Sequence, residues 1–186
     1  MILNLWKGYL RWRHSKGYGV HSPYAYRFIT EVLHPGKYGY YAYNQLESLS
    51  RGLIKGNPSI IRNAKFLIRL LIFLHSKRII TLGEKYPAAQ LAAKALKLVY
   101  FNCESGSKVT YKTGDLLVIT SPKDIDLYLV ENAIEHNVPM FAFNPSHELR
   151  RVLSAPIESG VLFTGISKML LIPRPEMQYV SYEIRW

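Results

Sequence analysis

The chain has 186 residues, 48% of them hydrophobic, a formal net charge of +11 and one cysteine. That length buries one substantial core and is too short for two large domains. The lone Cys103 excludes an intrachain disulfide and a zinc site built on two or more cysteines. A basic excess of this size attracts phosphates, nucleic acid or an anionic membrane surface. It is concentrated early, in Lys7, Arg11, Arg13, Lys16, Arg27 and Lys37, and continues through Arg51, Lys55, Arg62, Lys65, Arg69, Lys77 and Arg78.

The opening "MILNLWKGYLRWRHSKG" alternates basic with aromatic positions and lacks the continuous apolar centre of a secretory signal. The protein therefore reads as cytoplasmic. "NLWKGYLRWRHS" predicts a helix showing Leu3, Trp6, Leu10 and the edge of Trp12 on one face. Gly17 and Gly19 break it. "SPYAYRFITEVLH" predicts a second helix with Ser22 as its cap and Pro23 in its first position, stopped by Pro35 and Gly36. The apolar run at 64–76 is interrupted by Arg69 and falls short of the roughly 20 residues a membrane span needs. It predicts an amphipathic helix burying Phe66, Leu67, Leu70, Leu71 and Leu74.

Strands and helices then alternate. "RIITLG" reads as a strand, "PAAQLAAKAL" as a helix opened by proline, and "KLVYFN" as a second strand. The polar link that follows has room for a short extra strand at Val109 to Tyr111. "DLLVIT" is a third strand, continuously apolar as a central parallel strand is. The helix after it takes Ser121 as cap and Pro122 in its first turn, and turns Ile125, Leu129, Ala133 and Ile134 inward. "VPMFAFN" is a fourth strand and "PSHELRRVLSA" a short helix capped by Ser146. "GVLFTG", "KMLLIPR" and "QYVSYEIRW" predict three closing strands with no long helix between them, hence antiparallel pairing. This order predicts an α/β three-layer Rossmann-like sandwich with a mostly parallel sheet and a C-terminal antiparallel hairpin. A helical arm at 1–60 precedes an α/β domain at 61–186.

Few residues read as catalytic. Cys103 has no histidine nearby in sequence and reads as a buried thiol. His21 could titrate near neutral pH, but beside the capping Ser22 it reads as a hydrogen bond fixing the arm. Asn144, His147 and Glu148 could ligate a hard cation, or simply start a helix. Tyr38, Tyr40, Tyr41 and Tyr43, with Lys37 and Arg51, could stack nucleic-acid bases, cover the sheet or form a homodimer contact; packing is the preferred reading.

The segment "GYGVHSPYAYRFITEVL" resembles the N-terminal signature of a group of S-adenosylmethionine-dependent methyltransferase-like proteins of Bacteroidetes. There a basic helix leads through Gly-Val-His-Ser-Pro-Phe into the next helix. "KMLLIPRPEMQYVSYEIRW" resembles that group's final hairpin, a hydrophobic strand, a proline or basic turn and a closing strand. "RIITLG", "DLLVIT" and "PMFAFN" resemble the first, fourth and fifth strands of the methyltransferase fold. The resemblance implies S-adenosylmethionine as cofactor, a small molecule as substrate, and Gly83, Glu84 and Glu104 as cofactor-binding residues.

The chain also departs from that pattern. Thr81 stands where the family has an acid, and Lys85, Tyr86 and Pro87 fill a loop that is ordinarily glycine-rich so that the cofactor can approach. The dozen residues between "KLVYFN" and "DLLVIT" replace a helix and a strand, and Thr120, Ser121 and Pro122 replace an Asp-Gly segment. The chain looks like a shortened, degenerate member with catalysis reduced or lost. The alternatives are a noncatalytic binding or assembly module and a basic nucleic-acid-binding protein.

Overall fold

A computed structural model describes residues 2–36, 40–53, 57–103, 109–120, 127–154 and 158–186, with residues 2–5 and 50–53 described as backbone alone. The strands strictly alternate their burial partners: Ile79, Leu116 and Phe141 enter one apolar cluster, and Ile80, Leu117 and Met140 the other. A period of two with both faces apolar requires cover on each side of the sheet. Helices supply it, and the result is the expected three-layer α/β sandwich.

The seven strands are β1 (Arg78–Leu82), β2 (Val99–Cys103), β3 (Asp115–Ile119), β4 (Met140–Phe143), β5 (Ser159–Thr164), β6 (Lys168–Gln178) and β7 (Val180–Glu183). Their order across the sheet is β2-β1-β3-β4-β6-β5-β7. Pairings among β2, β1, β3 and β4 are parallel, and β6 lies antiparallel between β4 and β5. This is a Rossmann-like arrangement with its reversed strand near the C-terminus.

Two expectations about the end of the chain are corrected. The antiparallel hairpin is β5–β6, and β7 crosses over to pair with β5 in parallel, Val161 opposite Val180 through Thr164 opposite Glu183. The proline-containing stretch is no turn, since β6 continues through Pro173 and Pro175. Proline has no N–H for the ladder; accordingly the β5–β6 register jumps from Gly160 opposite Pro173 to Ser159 opposite Gln178. No strand forms at Val109 to Tyr111 either. Tyr111 is instead buried, its hydroxyl donating to the Leu129 carbonyl at 2.9 Å.

One face is covered by α2 (Pro23–Arg27), its π-helical continuation Phe28–Leu33, α3 (Tyr41–Leu53), α4 (Pro58–Phe73) and α5 (Pro87–Leu96). Ser22 accepts from the Ala25 N–H at 3.2 Å and Pro23 occupies the first turn, as expected. α4 begins earlier than the apolar run suggested, because Asn57 caps it by accepting from the Ser59 N–H at 3.1 Å. The opposite face is covered by α6 (Leu127–Glu135) and α7 (His147–Leu153), the latter capped by Ser146. Ser121, Pro122 and Ile125 lie outside the described residues. The inward Leu129 and Ala133 are buried.

The first helix, α1 (Ile2–Ser15), packs on β7. The expected helix forms, and Trp6 and Trp12 on its apolar face are 61% and 47% exposed. Polar contacts tie the end of α1 to the C-terminal strand region. His14 Nδ1 meets the Glu183 carbonyl at 2.9 Å, and Ser15 Oγ accepts from the Arg185 N–H at 2.6 Å. His21, expected in that role, is exposed. Among the described residues no helix is long and apolar enough to cross a membrane.

Candidate functional site

In an open parallel sheet, ligands settle beyond the carboxyl ends of the strands, where successive connections leave in opposite directions. Here that crevice lies between β1 and β3, because β1 is followed by β2 on one side and, through it, by β3 on the other. Gly83 ends β1 with φ of +100°, a backbone conformation that side-chain-bearing residues rarely adopt. Its N–H donates to the Cys103 carbonyl at 3.4 Å. Cys103 is a buried thiol, as expected.

The crevice is crossed by the chain itself. Thr120, just past β3, donates its hydroxyl to the Glu84 carbonyl at 2.8 Å, and its N–H reaches the Leu82 carbonyl at 3.1 Å. Glu84 has an exposed side chain and contributes its backbone to this bridge. Thr81 is fully buried, with its hydroxyl bonded to the Asn102 side chain at 2.8 Å and the Tyr100 hydroxyl at 2.9 Å. Glu104 lies outside the described residues. Gly83 and Glu84 are thus adjacent to the crevice, where the Gly83 N–H and the Leu82 and Glu84 carbonyls are already engaged within the protein.

Tyr86 closes the same loop from behind. Its ring packs on Phe143 at 4.8 Å and its hydroxyl is hydrogen-bonded to the Asn63 side chain. Burial pushes the phenol pKa up to about 12, with the Asn63 contact partly opposing the shift. The described residues fit S-adenosylmethionine poorly: Thr81 on β1 stands where the resemblance places an acid, the Glu84 side chain turns to solvent, and the post-β1 loop is bonded to Thr120 after β3 and packed through Tyr86 on Phe143.

The open space at this edge lies further along the sheet. A cavity of about 550 Å³ is bounded by α4 (Ser59, Arg62, Asn63, Phe66 and Arg69), the end of β4 (Phe143 and Asn144), the start of β6 (Ser167 and Lys168), Leu33 and Trp186. Because β6 is antiparallel, its first residue arrives at the same edge as the last residue of β4, Phe143 opposite Lys168. Asn144 adopts φ of +41° and donates its N–H to the Ser167 carbonyl at 2.6 Å, closing the rim. Gly165 lies against the indole of Trp186, where a Cβ would come within 2.2 Å of that ring.

Among the described residues, three cationic side chains and no Asp or Glu side chain line this cavity. Arg69 is partly committed, donating from Nε to the Val32 carbonyl at 2.7 Å and from a terminal nitrogen to the Tyr43 hydroxyl at 2.9 Å. Arg62 and Lys168 form no ion pair among the described residues. The Lys168 ammonium stands 5.8 Å from the ring centres of both Phe66 and Phe143. Burial, and then the nearby Arg62 charge, lower its pKa.

The sequence pattern does not single out Lys168, Asn63 or Trp186, and counts Arg62 and Arg69 only within the basic excess of the first half. A lysine heading an apolar strand in "SKMLLIP" was the available signal. The other candidates are not drawn into this cavity, apart from Asn144. His147 and Glu148 begin α7, and among the described residues no three His, Cys, Asp or Glu side chains gather as metal ligands would. Of the tyrosines, Tyr43 packs under Lys65 and bonds Arg69, Tyr41 is 78% exposed, and Tyr38 with Lys37 lies outside the described residues.

No family model matches the chain, and no curated protein matches it. Among solved structures it is similar to the crystal structure of a "putative O-methyltransferase" from Klebsiella pneumoniae, at 15% identity and a TM-score of 0.38, covering 80% of this chain and 95% of that one.

Proposed function

We propose that the protein is a methyltransferase-like binding module in which S-adenosylmethionine-dependent catalysis has been lost. One observation carries this reading. The Thr120 hydroxyl bonds the Glu84 carbonyl across the crevice between β1 and β3, where the cofactor's nucleoside would have to enter. Opening it would break that bond and the Thr120–Leu82 contacts, and would leave the half-buried Leu82 carbonyl in need of a new donor. Thr81 offers no carboxylate for the cofactor, and its hydroxyl is already satisfied by β2.

Isothermal titration and thermal melting with S-adenosylmethionine at about 1 mM test the proposal. A ligand with micromolar Kd would stabilise the fold by about 4 kcal/mol at that concentration. The expected outcome is no saturable heat and no shift in Tm; binding that is lost in Gly83→Val would refute the reading.

A second reading is favoured by one feature of α1, binding of single-stranded nucleic acid through the basic arm. Tyr9 stacks on Trp12 at 6.2 Å with Trp6 at 5.9 Å on its other side, and Arg13 lies over Tyr9. Exposed rings beside cations hold unstacked bases. Retention on single-stranded RNA that falls steeply with salt, and is weakened by Trp12→Ala, is the outcome this reading requires.

A further inference from the structure

We propose that the cavity between α4, the end of β4 and the start of β6 is a binding site for a small aromatic phosphate ester, its dianion held by Arg62 and Lys168 and its ring lying against Phe66, Phe143 and Trp186. This goes beyond the loss of the cofactor crevice and stands on separate residues.

Charge is the first argument. Three cationic side chains share one concave space with no Asp or Glu side chain among its described lining residues. Like charges held together in a partly dry site repel, and the cost is relieved by a bound counter-charge. Lys168 shows that tension, since burial and the Arg62 charge both weaken its hold on the proton. The two rings flanking its ammonium position it without neutralising it. Exposed cations such as Lys94 and Lys97 lie outside this cavity and carry no such implication.

The donor set selects phosphate. Arg62 provides a planar fork suited to paired oxygens, and Lys168 a compact charge, together matching a dianion with three oxygens. Arg69 retains one terminal nitrogen beyond its two bonds to Val32 and Tyr43, which pin the guanidinium at the wall. Ser59, in the first turn of α4, adds a hydroxyl to the same lining.

Size and lining select the rest of the ligand. A volume of about 550 Å³ lies within the roughly 300–1,000 Å³ of small-molecule pockets and exceeds what an inorganic ion fills. Phe66, Phe143 and Trp186 supply apolar walls, and the aromatic pairs Phe66–Phe141 and Phe141–Trp186 hold them in place from behind. A flat ring attached to the phosphate covers that surface where an aliphatic chain would leave it wet.

The test is titration of the full chain with phenyl phosphate, inorganic phosphate and phenol. Phenyl phosphate is expected to bind saturably, inorganic phosphate about tenfold more weakly, and phenol more weakly still, since each lost contact class is worth about a factor of ten. Lys168→Met and Arg62→Gln should each weaken phenyl phosphate about tenfold, and the exposed Lys97→Gln should leave it unchanged. Thermal melting checks that Lys168→Met folds; if it does not, Arg62→Gln on the helix surface decides.

Absence of saturable binding at about 10 mM phenyl phosphate, or equal loss in Lys97→Gln, overturns the proposal. So does affinity for inorganic phosphate equal to that for the ester. A parallel titration with S-adenosylmethionine in saturating phenyl phosphate keeps the two conclusions separate. Cofactor uptake there would defeat the closed crevice alone, and a missing phenyl phosphate signal the anion site alone.

Discussion

Thr120 and Tyr86 decide the chemistry of the strand ends more than the glycine beside them. Gly83 keeps the freedom to approach a ligand, yet the space it would serve is bridged by a hydroxyl and backed by a phenol ring. Tyr86 also makes its burial measurable. Its folded pKa of about 12 exceeds the ordinary value of 10.0, so below pH 10 the phenol is neutral whether the chain is folded or unfolded. Between about pH 10 and 12 the unfolded chain releases the proton first, and the stability of the folded form falls. Chemical denaturation across that range should show Tyr86→Phe gaining on the natural protein as pH rises, with a constant difference below it. A difference that stays constant throughout would mean that the phenol is solvated.

The elements most readable in the sequence were those whose local signals agreed with their packing. Ser22, Pro23 and Ser146 set helix starts that the structure keeps, because a cap depends on neighbours within one turn. "DLLVIT" announced a central strand by its unbroken apolar run, and Asp115 through Ile119 are all buried. Where the partner lay far away, the reading failed. Pro173 and Pro175 carry a turn signal, but β5 accommodates them in a long, irregular β6. The exposure of Trp6 and Trp12 was likewise hidden, since an apolar helical face says nothing about whether another element arrives to cover it. Val99 and Phe101 show the same at the other edge: β2 ends the sheet, and both side chains stay exposed.

In the molecule as a whole, the arm and the sheet share one core. Phe28 stacks on Phe163 of β5 at 4.3 Å and meets Trp186 edge-on at 6.1 Å, while Ala25, Ile29 and Val32 are buried in the same cluster as β1 and β3 residues. The helices before α4 therefore form part of a layer of the sandwich. Thermal unfolding should be a single transition, and Phe28→Ala should lower it as a unit by about 4 kcal/mol of stability. Two separated transitions, only the first moved by Phe28→Ala, would show an arm that melts by itself.

Alternating apolar strands, helix caps and a chain too short for a second core were enough to determine the layer architecture, because each depends on spacing along the backbone. The identity of the open site was decided only in three dimensions. Arg62 on α4, Lys168 heading β6 and Trp186 beyond β7 carry no shared motif, and they meet because an antiparallel β6 brings its first residue to the edge where β4 ends. The bond from the Thr120 hydroxyl to the Glu84 carbonyl joins the ends of two strands far apart in sequence, a contact that no local pattern encodes.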